Sequence, residues 1–178
     1  MRIISGSHKG RRLTAPRNLP VRPTTDFAKE GLFNILHHRL DMHESTVLDL
    51  FSGTGNIAYE CASRGAEKVT AVDGHHGCVK FISETSEELE FPITAIKADV
   101  FKYLNSTKEQ FSFIFADPPY SFEIEELSKI VVKVFEHNLL EDEGFLIIEH
   151  TKHTDLSSIP HFEESRRYGG SVFSFFPK

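Results

Sequence analysis

The run Asp117-Pro118-Pro119-Tyr120 places a carboxylate, two proline carbonyls and a phenol ring at the end of an apolar stretch, Phe111 to Ala116. Proline has no N–H and fixes its own φ, so the chain here can continue neither strand pairing nor a helix. Pro118 also holds Asp117 extended. A strand that stops in such a rigid turn presents one carboxylate, bare carbonyl oxygens and an aromatic face. That set suits a flat, amine-bearing group: the carboxylate and a carbonyl accept hydrogens from an exocyclic NH2, and Tyr120 stacks on the ring. The bland reading of the same four residues is a Pro-Pro turn that closes a core strand.

Three further stretches carry chemistry. Thr46 to Phe51 reads as a continuous buried strand and runs into Ser52-Gly53-Thr54-Gly55-Asn56, followed by an amphipathic helix to about Ser63. Strand, glycine loop, helix is how an open α/β sheet builds a nucleotide site at its carboxyl edge, with Gly53 and Gly55 letting backbone approach the ligand. It is neither a full GxGxxG nor a Walker A loop, and GxG alone is a weak signal. Lys68 to Asp73 is a second strand ending in an acid, and Asp73 follows Gly53 at the spacing that reaches a ribose diol. Capping of the next helix is its plainer role. Asp99 is another acid at a strand edge, after Ile93–Ala98.

Charge is distributed unevenly. Residues 1–40 hold eight Lys/Arg against two acids, a net of +6, whereas residues 41–178 hold twelve against twenty-four, a net of −12. A basic arm on an acidic body points to nucleic acid despite the overall −6. Ile3, Ile4 and Leu13 flank the Gly6-to-Gly10 turn, which predicts a small β-hairpin bearing Lys9, Arg11 and Arg12 as phosphate contacts. Arg22, Thr24 and Thr25 stand at the start of a helix whose stripe is Ala28, Leu32, Ile35, Leu36 and Leu40. That helix end attracts anions. An arm making about four to six phosphate contacts predicts a modest salt slope of roughly −3 to −4 on single-stranded RNA, which hints at help from an assembled particle.

The remaining elements are a helix from about His75 to Glu90, a helix over roughly Ile124–His137, strand Gly144–Glu149, and a final hairpin of Phe162–Tyr168 and Ser171–Phe176 turning at Gly169-Gly170. The expected fold is therefore α/β: a seven-stranded, mostly parallel sheet with a C-terminal antiparallel hairpin. Residues 1–40 form the basic arm and helix, and 41–178 the main domain. Parallel strands place Gly53, Gly55, Asp73, Asp99 and Asp117 along one rim. There is no apolar run of membrane-spanning length and no signal segment at Met1. Cys61 and Cys78 read as reduced core thiols of a cytoplasmic protein, and the ten histidines form no metal-ligand pattern.

Asp49-Leu50-Phe51-Ser52-Gly53-Thr54-Gly55, followed in order by Asp73, Asp99 and Asp117-Pro118-Pro119-Tyr120, resembles the class I S-adenosylmethionine-dependent methyltransferases with a Rossmann-like fold, within them those acting on exocyclic amines. The arm, with Arg2-Ile3-Ile4-Ser5-Gly6, Gly10-Arg11-Arg12-Leu13 and Arg22-Pro23-Thr24-Thr25-Asp26, resembles the bacterial 16S rRNA (guanine(966)-N(2))-methyltransferase family, RsmD. The resemblance implies that Asp49, Phe51, Gly53 and Gly55 line the methionine end of S-adenosylmethionine. It implies that Asp73 binds the ribose and Asp99 the adenine, while Asp117, Pro118, Pro119 and Tyr120 hold the target guanine. It implies 16S rRNA as partner, free or in a small-subunit particle, and neither metal nor membrane. Asn56-Ile57-Ala58-Tyr59 departs from the small residues that usually follow the loop, so helix packing is expected to differ there.

On that reading Asp117 and the Pro118 carbonyl accept the hydrogens of the guanine 2-amino group and direct its lone pair, so positioning dominates an in-line displacement. The base leaves its stack to reach the pocket. An adenine-N6 methyltransferase shares the tetrapeptide, but a DNA reader needs an element for the major groove beyond this small arm. Protein-glutamine methylation usually has Asn where Asp117 stands. A dinucleotide oxidoreductase explains Asp73 but gives Asp117-Pro118-Pro119-Tyr120 no role. A non-catalytic ribosome-assembly factor is the reading from outside the enzymes.

Overall fold

A computed structural model describes residues 1–21 and 24–178. Among the described residues, the seven strands are β1 (Thr46–Leu50), β2 (Lys68–Asp73), β3 (Ile93–Lys97), β4 (Phe111–Ala116), β5 (Leu140–Thr151), β6 (Glu164–Tyr168) and β7 (Ser171–Pro177). They form one sheet in the order β3-β2-β1-β4-β5-β7-β6. The first five are parallel, while β7 runs antiparallel between β5 and β6. From β1 the chain winds outward to β2 and β3, then returns to place β4 on the other side. That reversal opens a crevice beyond the carboxyl ends of β1 and β4, where sheets of this kind take their ligands.

Alternation along the strands builds two cores. Val47, Phe113, Phe115 and Ile147 face a layer containing α1 (Asp26–Leu36), α2 (Asn56–Ser63) and α3 (His76–Glu88). Leu48, Leu50, Ile114, Ala116 and Ile148 face α4 (Val100–Ser106) and α5 (Ile124–Glu136). Both faces of each central strand are covered, which is why their sequences read as unbroken apolar runs. The sequence reading missed α4, a seven-residue helix capped by Asp99, and placed the start of β5 at Gly144 rather than Leu140. The β4–β5 register shifts between Phe111 and Phe113, and Glu143 takes a positive φ of 63° there. A bulge of this kind breaks the alternation that would have marked the strand.

The arm folds as the expected hairpin in reduced form. A single antiparallel bridge joins Arg2 to Arg12, with Ile3 N donating to Arg11 O and Leu13 N to Met1 O. It grows no further because Ile4 N and Ser5 N donate to the carboxylate of Glu60 on α2 instead of to a partner strand, at 2.8 and 3.0 Å. Glu60 is fully buried and meets the buried Lys29 of α1 at 3.3 Å. Lys29 Nζ also donates to Arg2 O and to Asn56 Oδ1. Asn56 Nδ2 in turn donates to Thr24 O, so the departure noted after the glycine loop is a polar clamp between α1 and α2. Gly6, at φ +86°, lies so close to α2 that a Cβ would sit 1.8 Å from Ser63 O.

Removing one partner of a buried ion pair leaves the other charge stranded. Lys29→Met is expected to cost about 3 kcal/mol in urea unfolding, because the fully buried Glu60 carboxylate keeps only Arg64 and two backbone amides to answer its charge. Lys29→Met with Glu60→Gln is expected to lose less than Lys29→Met alone. Equal losses would show that the pair's charges do not matter.

Candidate active site

A cleft of about 400 Å³ opens at the crevice between β1 and β4. One wall is the loop Phe51–Thr54, another is Asp73–His75, and the third is Asp117–Tyr120. The walls are tied together by the chain itself. Asp73 Oδ2 accepts from Gly53 N at 2.9 Å, and Asp73 Oδ1 accepts from His75 N at 2.8 Å. One carboxylate thus fixes both loops, with lone pairs to spare for hydroxyls of a ligand. Gly53 takes φ +53° and Phe51 φ +56°, and the Phe51 ring meets Phe122 edge-on at 5.6 Å. Ser52 Oγ is buried in the cleft wall without a partner among the described residues. An orphaned buried hydroxyl costs about 1–3 kcal/mol until something polar pairs with it.

Three acids converge around this cleft. Asp49 on β1 is buried and accepts from Ala58 N at 3.2 Å, capping the first turn of α2 from the strand below. Burial, with the negative charge of Asp73 adding, pushes its pKa up to about 8. Asp117 directly follows β4, its N–H donating to Leu50 O. Burial, then the charges of Glu149 and Asp49, hold its carboxyl well above the usual range. Glu149 on β5 is buried behind Pro118 and Pro119, where burial raises its pKa while hydrogen bonds from Ser171 and Thr24 oppose the rise. Those bonds measure 2.6 and 3.0 Å.

The cleft gathers Asp49, Phe51, Gly53, Asp73, Asp117, Pro118, Pro119, Tyr120 and Thr24. Gly55 does not line it. A Cβ there would meet Ile82 and Tyr59 at 2.9 Å, so that glycine serves the packing of α2 against α3. Asp99 lies outside the lining as well. Its Oδ1 accepts from Lys102 N to cap α4, and the preceding Ala98 abuts Gly74 of the wall. Thr25 caps α1 through Ala28 N, and Thr24 donates to Glu149, so both hydroxyls are engaged within the protein. Arg22 is outside the described residues. Lys9 and Arg12 are exposed on the arm, whereas Arg11 pairs with Glu88. Sequence reasoning missed Glu149 and Ser52. The signal for Glu149 was an acid at the end of Phe145–Ile148, where only a partnered carboxylate is tolerated.

Asp49 yields a stability test. Its folded pKa is about 8, above the value of about 3.9 for an unfolded aspartate. Its favourable contribution is therefore complete below the unfolded value and lost as pH rises through about 8. Asp49→Asn removes this titration. The Tm of the variant is expected to gain on wild type between pH 5 and 9, by about 10 °C. Parallel Tm curves would refute a buried, proton-holding Asp49.

Comparison with known proteins agrees with this architecture. The family described as Conserved hypothetical protein 95 matches residues 1–177. The chain is 30% identical to the ribosomal RNA small subunit methyltransferase D of Haemophilus influenzae, over 85% of this chain and 79% of that one. A hypothetical protein of Thermus thermophilus superposes with a TM-score of 0.84 at 25% identity, covering 98% of both chains. The T. thermophilus 16S rRNA N2 G1207 methyltransferase, solved with AdoMet and guanosine, shares the fold at TM-score 0.70 and 19% identity, over 90% of this chain and 45% of its own. Matched to its penultimate residue by one family, and carrying the glycine loop, Asp73 and Asp117-Pro118-Pro119-Tyr120 around a single crevice, the chain belongs to the RsmD family of small-subunit rRNA methyltransferases.

Proposed function

We propose that this protein transfers a methyl group from S-adenosylmethionine to the exocyclic N2 amine of a guanine in 16S rRNA, guanine 966 by the family's name. The observation that carries the reading is the meeting of Asp117-Pro118-Pro119-Tyr120 with the Asp73-tied glycine loop in one cleft. The cleft fits the cofactor. Ser52 Oγ lacks a partner among the described residues, Asp73 has spare acceptor capacity, and Gly53 brings bare backbone to the wall. Asp73 would hold the ribose hydroxyls, Asp49, Phe51 and Gly53 the methionine end, and Asp99 the adenine edge. When bound, S-adenosylmethionine supplies an electrophilic methyl on a sulfonium centre.

The chain's own residues then do three things. Tyr120, 57% exposed at the rim, offers a face for the extruded base. Asp117, in its ionised form, and the Pro118 carbonyl accept the amine hydrogens and so turn the nitrogen lone pair out of conjugation. Pro118 and Pro119 keep those acceptors fixed, which places the gain in orientation. Thr24 and Ser171 hold Glu149 behind the prolines, where its charge acts on Asp117. Released product leaves a methylated amine whose proton passes to Asp117 or to solvent. The protein-bearing small-subunit particle is the substrate form we favour, because the exposed basic surface of the arm is small.

The decisive assay incubates the protein with labelled S-adenosylmethionine and small-subunit particles or 16S RNA lacking the modification, then resolves the nucleosides. Label in N2-methylguanosine is expected. Label in N6-methyladenosine would overturn the substrate, and RNA binding without cofactor binding would mark an assembly factor. Asp117→Ala is expected to lower kcat by about 10²-fold or more while RNA binding persists. Because the acceptor is the ionised carboxylate and its pKa is raised, activity is lost as pH falls through that raised value. Glu149→Gln removes a negative neighbour, so the acidic limb of kcat/KM should move to lower pH. An unmoved limb would separate Glu149 from Asp117.

A further inference from the structure

At the far end of α2 from the cleft lies a second cavity, of about 710 Å³. Its walls include Ser5 and Gly6 from the arm, His37 and His38 after α1, His43, and Arg64 at the end of α2. Eight helical residues separate the two sites, about 12 Å along the axis. We propose that this cavity is a receptor for a backbone phosphate of the RNA substrate, gripping the strand at a distance from the target base. The proposal rests on the RNA-methyltransferase reading above.

Arg64 anchors the cavity wall. Its Nε donates to Glu60 Oε1 at 2.8 Å, and its guanidinium carbon lies 4.5 Å from the Phe33 ring centroid. These two contacts fix the plane of the group, and its side chain keeps only 20% of its exposure. Among the described residues, no protein acceptor meets its terminal nitrogens. Closing the helix end and answering Glu60 needs only Nε. A guanidinium held flat with the four N–H donors of its terminal nitrogens unspent is suited to phosphate oxygens, which it binds with two parallel bonds.

Lys29, Arg39 and Arg64 stand here against Glu60, Asp41, Glu163 and Glu164, so what the cavity has to spare is hydrogen-bond donors and not net charge. Glu60 is already answered by Lys29 and by the amides of Ile4 and Ser5, so Arg64 is not needed for neutrality. Arg39, also in the wall, is matched by Glu163 and Glu164. Among the described residues, Asp41 is the one carboxylate of the lining, and its Oδ1 accepts from His43 N. Three imidazoles around the rim add further donors. The guanidinium N–H groups of Arg64 and the imidazole N–H groups are donors of the kind that phosphate oxygens accept from. The site also continues the basic arm. The arm runs from Met1, whose sulfur meets Thr54 at the cleft, to Gly6 against Ser63 at the cavity. A strand with its base in the cleft and its backbone along the arm arrives at Arg64.

The test measures binding of a 16S rRNA transcript across salt concentrations by the full chain and by two variants. S-adenosylmethionine binding and methylation are followed alongside. Arg64→Met keeps an apolar stem on Phe33 and removes the guanidinium. His38→Glu places a like charge at an exposed position where folding is not at risk. Arg64→Met is expected to weaken RNA binding about tenfold and to flatten the slope of log K against log salt by about 0.7 to 0.9. His38→Glu is expected to weaken it too, and both variants should retain cofactor binding. Unchanged affinity and slope in both would overturn the proposal. If Arg64→Met loses cofactor binding, His38→Glu decides alone. A wild-type protein that binds the transcript but makes no methylated guanine in it or in unmodified small-subunit particles overturns the functional reading and not the cavity.

Discussion

The buried contact of Lys29 with Glu60 is the constraint on which the rest of the molecule depends. Both groups are desolvated, and burial lowers the Lys29 pKa while the Glu60 charge opposes that fall. Such a pair is tolerable only when every remaining donor and acceptor is met. Here the arm meets them: Ile4 and Ser5 supply amides to Glu60, and Arg2 supplies a carbonyl to Lys29. The pair therefore does more than stabilise a helix contact. It fixes the arm against α1 and α2, and through Asn56 it fixes Thr24 at the mouth of the cleft. Arm and cleft are thereby held together through one buried network.

The second constraint is topological. Placing β4 beside β1 brings a loop after residue 50 and a turn after residue 116 to one point, although the chain separates them by more than sixty residues. Asp117 N bonds to Leu50 O at that junction. The glycine loop and the proline turn then need little further adjustment, because both are stiff for local reasons. Asp73 completes the site by holding two loops with one carboxylate. Preorganisation here is a property of short loops on a covered parallel sheet.

Much of this was legible because the informative residues act locally. Thr46–Leu50, Lys68–Asp73 and Phe111–Ala116 are buried on both faces, so their apolar runs announced strands within a residue of their observed bounds. Pro118 and Pro119 fix a turn whatever surrounds them. What escaped depended on distant partners. The helix α4 is short, and nothing in Val100–Ser106 gives a strong amphipathic period. Gly55 looked like a ligand-facing glycine, yet its reason is a helix, α3, that comes twenty residues later. Thr24 looked like an anion donor, yet it donates to an acid on β5. Glu60 carries no local mark at all, since its role exists only when residues 4, 5 and 29 reach it.

The same cofactor reading explains why the cleft tolerates Asp49, Asp117 and Glu149 so close together. Without compensation, burial tilts all three acids toward their protonated forms, which is the direction their raised pKa values take. A protonated Asp117 is a poor acceptor for an amine, because one of its oxygens has become a donor. Positive charge entering the cleft shifts that balance toward the ionised forms. The acids thus favour a cationic ligand over a neutral or anionic one of similar shape, and linkage works in both directions: the ligand that the acids prefer is the one that ionises them. A dinucleotide, with its pyrophosphate charge, meets the opposite field. On the proposed function, the acceptor that the incoming amine needs becomes available when the cationic cofactor enters the cleft.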